Sequence, residues 1–491
     1  MSFSRVTSFP SRRSPLLYIS TRGAADGKTF ADITFEGLAR DGGLYVPENY
    51  PKFTADELAQ LRGRDFSSVA LEVLSRFGTQ LPQKDLWQLC RDAWQPSIFP
   101  NGLDMFKAHD VAPITWLQDG VGIYELSNGP SLSINDFSLQ FLSQVHEKHW
   151  DKGPRSITLL GATTGDMGAS AEAAFGGRSG VKVVMLSPKD RMSKFQAAQL
   201  YSNKDKNVLN IEIDGTFDDC QALVRELLSD EAFCKEAYLG AVNSYLWLRI
   251  AVHVAAFFYG YIQATSFNTE PVVFVVPAGN FGNAFAGWVA RAMGLPILRI
   301  LVATNENDAI DVFFRTGVYA PRPVSETVAT SSPSMDISRA ASFERFLFEV
   351  LGRNGERIAE LMTELETNGR FELTKEEFNK IRRSGLTAGT SDHPNRLEMI
   401  ESLWVTNHRM IDPQTADCLY TGTYLHPVGV KTLCWETVQA VKFPRITKQA
   451  TGETVPLPER FNDIFERKQK KTPLPANIAA LREAVAAFAK E

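Results

Sequence analysis

A mostly parallel α/β fold with a small N-terminal domain is what this chain of 491 residues predicts, and three observations carry the prediction. From residue 111 onward short apolar runs recur (VAPITWL, GIYEL, SITLLGA, VKVVML, NVLNIEI, PVVFVVPAG and ILRILVATN), each the length of a buried strand. Helical patterns separate most of them, and strands alternating with helices imply crossover units. Two runs, in SITLLGATTGDMGASAEAAF and PVVFVVPAGNFGNAFAGWVARAM, pass through a glycine-rich turn into a helix of small residues. Such junctions place backbone N–H groups at the carboxyl end of a sheet, where anions bind.

In chain order, residues 1–105 read as the N-terminal domain: a short extended segment (LLYIS), the turn-rich ARDGGLYVPENYP, and helical patterns around 55–77 and 84–94. Residues 106–445 hold the α/β core. Within it IAVHVAAFFYGYI, at 250–262, is interrupted by His253 and too short to span a bilayer, so it reads as a buried helix. The segment 305–345 is loop-rich, with APRPVSETVATSSPSMDI expected to cover the site, and helical patterns resume at 342–365 and 374–383. Residues 446–491 form a C-terminal helical extension, with the solvated charge run ERKQKK and a closing amphipathic helix.

Composition narrows the function classes. Hydrophobic residues at 44% and charged residues at 22% fit a globular protein, and 52 Lys+Arg against 57 Asp+Glu, a net charge of -5, argue against nucleic acid as a partner. The five cysteines are scattered with no CxxC pair, which predicts free thiols, a cytoplasmic setting and no zinc site. His146 and His149 lack the acidic or thiol partners a metal pair needs. The N-terminal segment has arginines but no apolar core of a secretion signal. A small molecule is the expected partner, with neither nucleic acid nor membrane.

GNFGN is the strongest phosphate cradle: Gly279 and Gly282 let the backbone approach an anion, Phe281 sits between them, and Asn280 and Asn283 can donate or take left-handed geometry. A tight turn without a ligand is the bland alternative. In ATTGDMG, Thr163, Thr164 and the Gly165 amide could hold a carboxylate or phosphate, while Asp166 suits a helix cap or the orientation of a hydroxyl. Arg249 is either a phosphate clamp or a structural ion-pair partner. His253 fits a satisfied core histidine. His426 and Lys431, in YTGTYLHPVGVKT, either meet the site at a strand end or finish the sheet.

At these motifs the chain resembles the threonine synthase family, in its longer, fungal-type branch. The matching stretches run nearly end to end: YISTRG, LARDGGLYVPE, NGPSLSINDFSLQFL, GATTGDMGA, IDGTFDDCQALV, NSYLWLR, VPAGNFGNAFAG, ATNENDAI, SMDISRAASFERFLF and DPQTAD. The resemblance implies the fold type II (tryptophan synthase β-like) architecture of two parallel-sheet lobes. It also implies pyridoxal phosphate (PLP) chemistry on O-phosphohomoserine, and a monomer or homodimer. It implies that Gly279–Asn283 hold the PLP phosphate, and that Asn128, Ser131, Thr163, Thr164, Gly165, Asn243, Ser244 and Arg249 face substrate. A THPAKF-like segment is read in YLHPVGVKT, leaving Thr423 or Tyr424 opposite the pyridine nitrogen.

The family's HGPTxxFKDF motif carries the lysine that binds PLP covalently, and here it reads NGPSLSINDF. Gly129, Pro130, Asp136 and Phe137 are kept, Asn128 stands for the histidine, and Asn135 stands for the lysine. No lysine occurs between Lys107 and Lys148. An amide is neither a nucleophilic amine nor a proton shuttle, so the familiar turnover is expected to be lost and PLP, if bound, is not covalently held at Asn135. Met167 is a further departure.

Three readings follow. One is a repurposed enzyme performing a lysine-free elimination, substitution or hydrolysis on an amino acid, possibly phosphorylated, with Asn135, Asp166, His426 and Lys431 as the candidate catalytic groups. The second is a non-catalytic protein that binds PLP or an amino acid or partners an active paralogue. The third is a lysine-to-asparagine variant of a PLP threonine synthase.

Overall fold

The computed structural model describes residues 16–24, 27–100, 110–149 and 156–490. The smaller lobe is a five-stranded, wholly parallel sheet in the order Thr472–Pro475, Val208–Asp214, Val181–Pro188, Ile157–Ala162, Leu239–Ala241. The larger lobe is a six-stranded sheet in the order Leu386–Thr390, Ile297–Thr304, Val272–Pro277, Lys431–Glu436, Val121–Glu125, Ile114–Trp116. Only its last pair is antiparallel. Ile157–Ala162 and Val272–Pro277 are buried at every residue, because helices cover both faces, and that is why their sequences are continuous apolar runs.

The N-terminal domain pairs Tyr18–Ser20 with Tyr45–Pro47 and adds helices Ala55–Leu61, Phe66–Ser75 and Gln83–Ala93. Capping fixes their starts: Thr54 and Glu57 form a capping box, and the Asp65 side chain accepts from the Ser68 N–H. Phe66 packs edge-on against Trp94, Phe137 and Tyr259, so this domain shares one apolar core with the larger lobe. The run at 250–262 lies, as expected, inside a buried helix, Trp247–Ala264.

Two expectations change. The tail is more than a helical extension: Thr472–Pro475 completes the smaller sheet, and helix Ile478–Lys490 buries Leu481, Val485 and Phe488 against that lobe. The loop-rich segment 305–345 contains the helix Ala309–Thr316, whose short run hides between turn residues. The five cysteines are free thiols. Among the described residues no helix is long and apolar enough to cross a membrane, and no group of His, Cys, Asp or Glu could hold a metal ion.

Candidate functional site

In parallel sheets ligands bind beyond the carboxyl ends of the strands, and a cavity of about 150 Å³ lies there. Its walls are the residues that directly follow four strands: Thr163 and Thr164, Asn243 and Ser244, Gly279–Asn283, and Thr437 with Val438. Of the other residues that the sequence singled out, Asn135, Asp166, Arg249 and His253 also line it.

The GNFGN segment opens helix Gly282–Ala292. Phe281, its N-cap, has φ 64°, a left-handed conformation that a bulky residue adopts only under constraint. The constraint is aromatic: the buried Phe281 ring packs at 5.0 Å from Phe343 and 5.4 Å from Phe346. This turn leaves the first amides of the helix without a side-chain cap, on the cavity wall. A Cβ at Gly279 would come 2.8 Å from Ile337 Cδ1 of the covering segment, so a larger residue there would require that side chain to move. Ser342 braces the region, its N–H donating to the Asn280 carbonyl (2.9 Å) and its hydroxyl to the Ser244 carbonyl (3.3 Å). Arg345, fully buried, also donates to Ser244 O (3.2 Å).

At the other end, Asn135 is the first residue of helix Asn135–His149. Its Nδ2 donates to Ser133 Oγ (2.8 Å), and its Oδ1 accepts from Arg249 Nη2. Arg249 Nε donates to Ser138 Oγ (3.2 Å). Burial pulls the guanidinium down to about 10, and no carboxylate opposes that shift. Burial and then the Arg249 charge pull His253, on the same helix, down to about 3, which the Asn283 side chain only partly offsets. No lysine lines the cavity among the described residues.

Asp166 joins the lobes. Its Oδ1 accepts from Lys442 Nζ (2.8 Å) and Gln196 Nε2 (3.1 Å), and its Oδ2 from Ser334 Oγ (2.6 Å). Lys442 is wholly buried. Asp166 thus orients a hydroxyl, as its position suggested, but it does not cap its helix, which has no side-chain cap bond. The covering segment contributes Ser334, Met335 and Ile337 to the cavity.

Several expected site residues lie elsewhere. Lys431 begins its strand, at the amino end of the sheet, and reaches Glu270 (3.4 Å) rather than the cavity. His426 ends the helix Pro413–Leu425, its Nδ1 against the Gly422 carbonyl (2.8 Å), and Thr423 is on that helix's exposed side, bonded to Leu419 O. The apolar strand runs on past YLHPVGVKT, so the segment at its carboxyl end is TVQAVKF, where Thr437 meets the cavity and donates to Gln414 Oε1 (3.1 Å). An apolar run TLCWE followed by polar residues was the available signal for it.

Ser131 is buried away from the cavity, its N–H and hydroxyl both donating to Asp136, at 2.9 and 2.8 Å. Asn128 is buried beside Gln439 (3.3 Å). Gly165, at φ 113°, is a turn residue whose N–H donates to Thr163 Oγ1 (2.9 Å), so that hydroxyl is engaged within its own loop.

Two parallel-sheet lobes with an anion cradle between them define the PLP-dependent enzymes of fold type II, and residues 123–374 match the family model for a pyridoxal-phosphate dependent enzyme. Residues 17–94 match the threonine synthase N terminus and 415–485 the threonine synthase C-terminal region. The chain is 40% identical over 467 residues to the threonine synthase of Methylobacillus glycogenes, covering 95% of this chain and 98% of that protein. It is 32% identical over 430 residues to that of Saccharomyces cerevisiae, covering 82% and 81%. A crystal structure of PLP-bound threonine synthase from Brucella melitensis superposes with a TM-score of 0.87 at 34% identity, covering 97% and 100% of the two chains. This chain belongs to the threonine synthase family.

PLP is the cofactor this family implies. Its phosphate suits the Gly279–Asn283 cradle, where uncapped amides meet a helix N-terminus. No lysine lines the cavity among the described residues, and Asn135 is an amide already bonded to Ser133 and Arg249. The residues present therefore fit a phosphate-anchored group and do not fit a covalently held one.

Proposed function

We propose that this protein binds PLP, or a ligand of like charge, through the Gly279–Asn283 cradle without a covalent bond. In this reading it acts on an amino acid with an anionic side group by a lysine-free elimination, substitution or hydrolysis. One observation carries it: Arg249 stands buried in the cavity with no carboxylate partner while position 135 offers no amine. A buried, uncompensated guanidinium is costly unless an anion meets it, so the cavity suits a phosphate or carboxylate. When bound, PLP supplies an electron sink. Asn243 and Ser244 line the place where a substrate amino acid would be oriented, and the covering segment with the Asp166–Lys442 pair excludes water.

A second reading, a non-catalytic binding protein, is favoured by the absence of an available base among the described cavity residues. Asp166 is fully hydrogen-bonded, and His253 does not take up a proton near neutrality. Phosphate release from O-phosphohomoserine and other phospho-amino acids separates the two. Release that is lost in Arg249→Gln supports the enzyme, and no release, with PLP still bound, supports the binding protein. Asn135→Lys gives a further check: a borohydride-stable PLP adduct at position 135 is expected there and not in the parent chain.

A further inference from the structure

We infer that Asn135 is a positioning residue for Arg249, holding its guanidinium by the amide oxygen so that the cavity keeps one oriented, unpaired cation; the inference rests on the reading above that the cavity takes an anion. The geometry around position 135 carries it. Asn135 Oδ1 accepts from Arg249 Nη2, and Ser138 Oγ accepts from Arg249 Nε (3.2 Å). Asn135 is itself fixed from the other side, its Nδ2 donating to Ser133 Oγ (2.8 Å). Ser133 pairs in turn with Val438, and the Ile134 N–H donates to the Thr437 carbonyl (2.8 Å), so the segment at the carboxyl end of the central strand locks this amide in place.

A guanidinium has five N–H donors in a planar fork. Asn135 and Ser138 take two, and the remaining donors are left for a ligand. The acceptor has to be neutral for this to work. The adjacent carboxylate, Asp136, is turned onto Ser131 instead, so the charge of Arg249 is oriented without being cancelled. A neutral amide accepts from Arg249 through its oxygen and donates to Ser133 through its nitrogen at the same time. Asn135 therefore has a use of its own in this chain, in place of the covalent chemistry it lacks.

The test compares Asn135→Asp and Asn135→Ala, each alone and in an Arg249→Gln background. Calorimetric titration with inorganic phosphate and with PLP at pH 7 is the first readout. Asn135→Asp pairs and neutralises Arg249, and its affinity for both anions is expected to fall at least tenfold below that of Asn135→Ala. In the Arg249→Gln background that difference is expected to shrink to the smaller penalty that a carboxylate on the cavity wall exacts by repulsion alone. Equal losses in Asp and Ala variants, or an Asp penalty undiminished without Arg249, would overturn the inference.

The second readout, the urea midpoint without ligand, is independent of the functional reading. With Arg249 present, Asn135→Asp should be more stable than Asn135→Ala, and in the Arg249→Gln background the order should reverse. An unchanged order refutes the positioning role. A parent chain that binds neither phosphate nor PLP, but shows the reversal, refutes the functional reading alone.

Discussion

At one end of the cavity, residues 279–283 present backbone amides from the start of a helix; at the other, Ser133, Asn135 and Arg249 present side chains bonded to one another and, for Arg249, to Ser138 behind them. The first end is held by what lies behind it, the Phe281 ring among Phe343 and Phe346 and the Ser342 brace. The second depends on the identity of a few atoms. A single residue change rewrites the chemistry of the side-chain end, and it leaves the backbone end as it was. In the proposed reading, that is how a chain of this family keeps an anion cradle without the lysine.

The largest effect is expected at the Asp166–Lys442 bridge between the lobes. Lys442→Met leaves Asp166 buried without its cation and should cost about 3–5 kcal/mol; urea unfolding measures it, and a loss below about 1 kcal/mol would show that Gln196 and Ser334 suffice. Next, Phe281→Ala removes the packing that holds the strained N-cap, and a loss of about 3 kcal/mol is expected. PLP affinity should fall with it, while the Asn135–Arg249 contact stays intact; unchanged affinity would show that the cradle does not need the ring.

The third effect depends on pH. The unfolded chain protonates His253 below about pH 6.5, whereas the folded protein does so only near 3. The unfolded state then binds more protons, so stability falls as pH drops through that window, by at most about 1.4 kcal/mol per unit. His253→Gln should flatten this part of the curve. Buried Asp336, Asp412 and Asp417, raised by desolvation to about 6, 8 and 7, act with the opposite sign in both proteins, so only the difference between the two curves is diagnostic. The smallest effects belong to the residues outside the cavity: His426→Ala and Lys431→Ala should change stability by less than about 0.5 kcal/mol and leave PLP affinity unchanged.

Those last two residues also mark where the sequence was misleading. Strand identity was legible, because runs buried on both faces are apolar throughout, and the two glycine-rich junctions announced their place at strand ends. Strand direction relative to the cavity was harder to read. YLHPVGVKT has the right residue types, but it precedes its strand, and a ligand site in a parallel sheet follows one. TVQAVKF, at the correct end, carries Thr437 and the buried Lys442 in a segment whose only signal is what it follows. Ser131 and Gly165 lie close to site residues in sequence, yet their N–H groups are spent within their own turns. The Arg249–Asn135 contact joins residues 114 positions apart, and no local pattern records it.

The most direct measurement follows PLP itself. The protein is incubated with PLP, treated with borohydride, digested and mapped by mass, alongside a dialysis sample that reports reversible binding. The expected result is PLP that binds and dialyses away, with no peptide carrying a reduced adduct. A stoichiometric adduct on any lysine, Lys442 included, would contradict the lysine-free site.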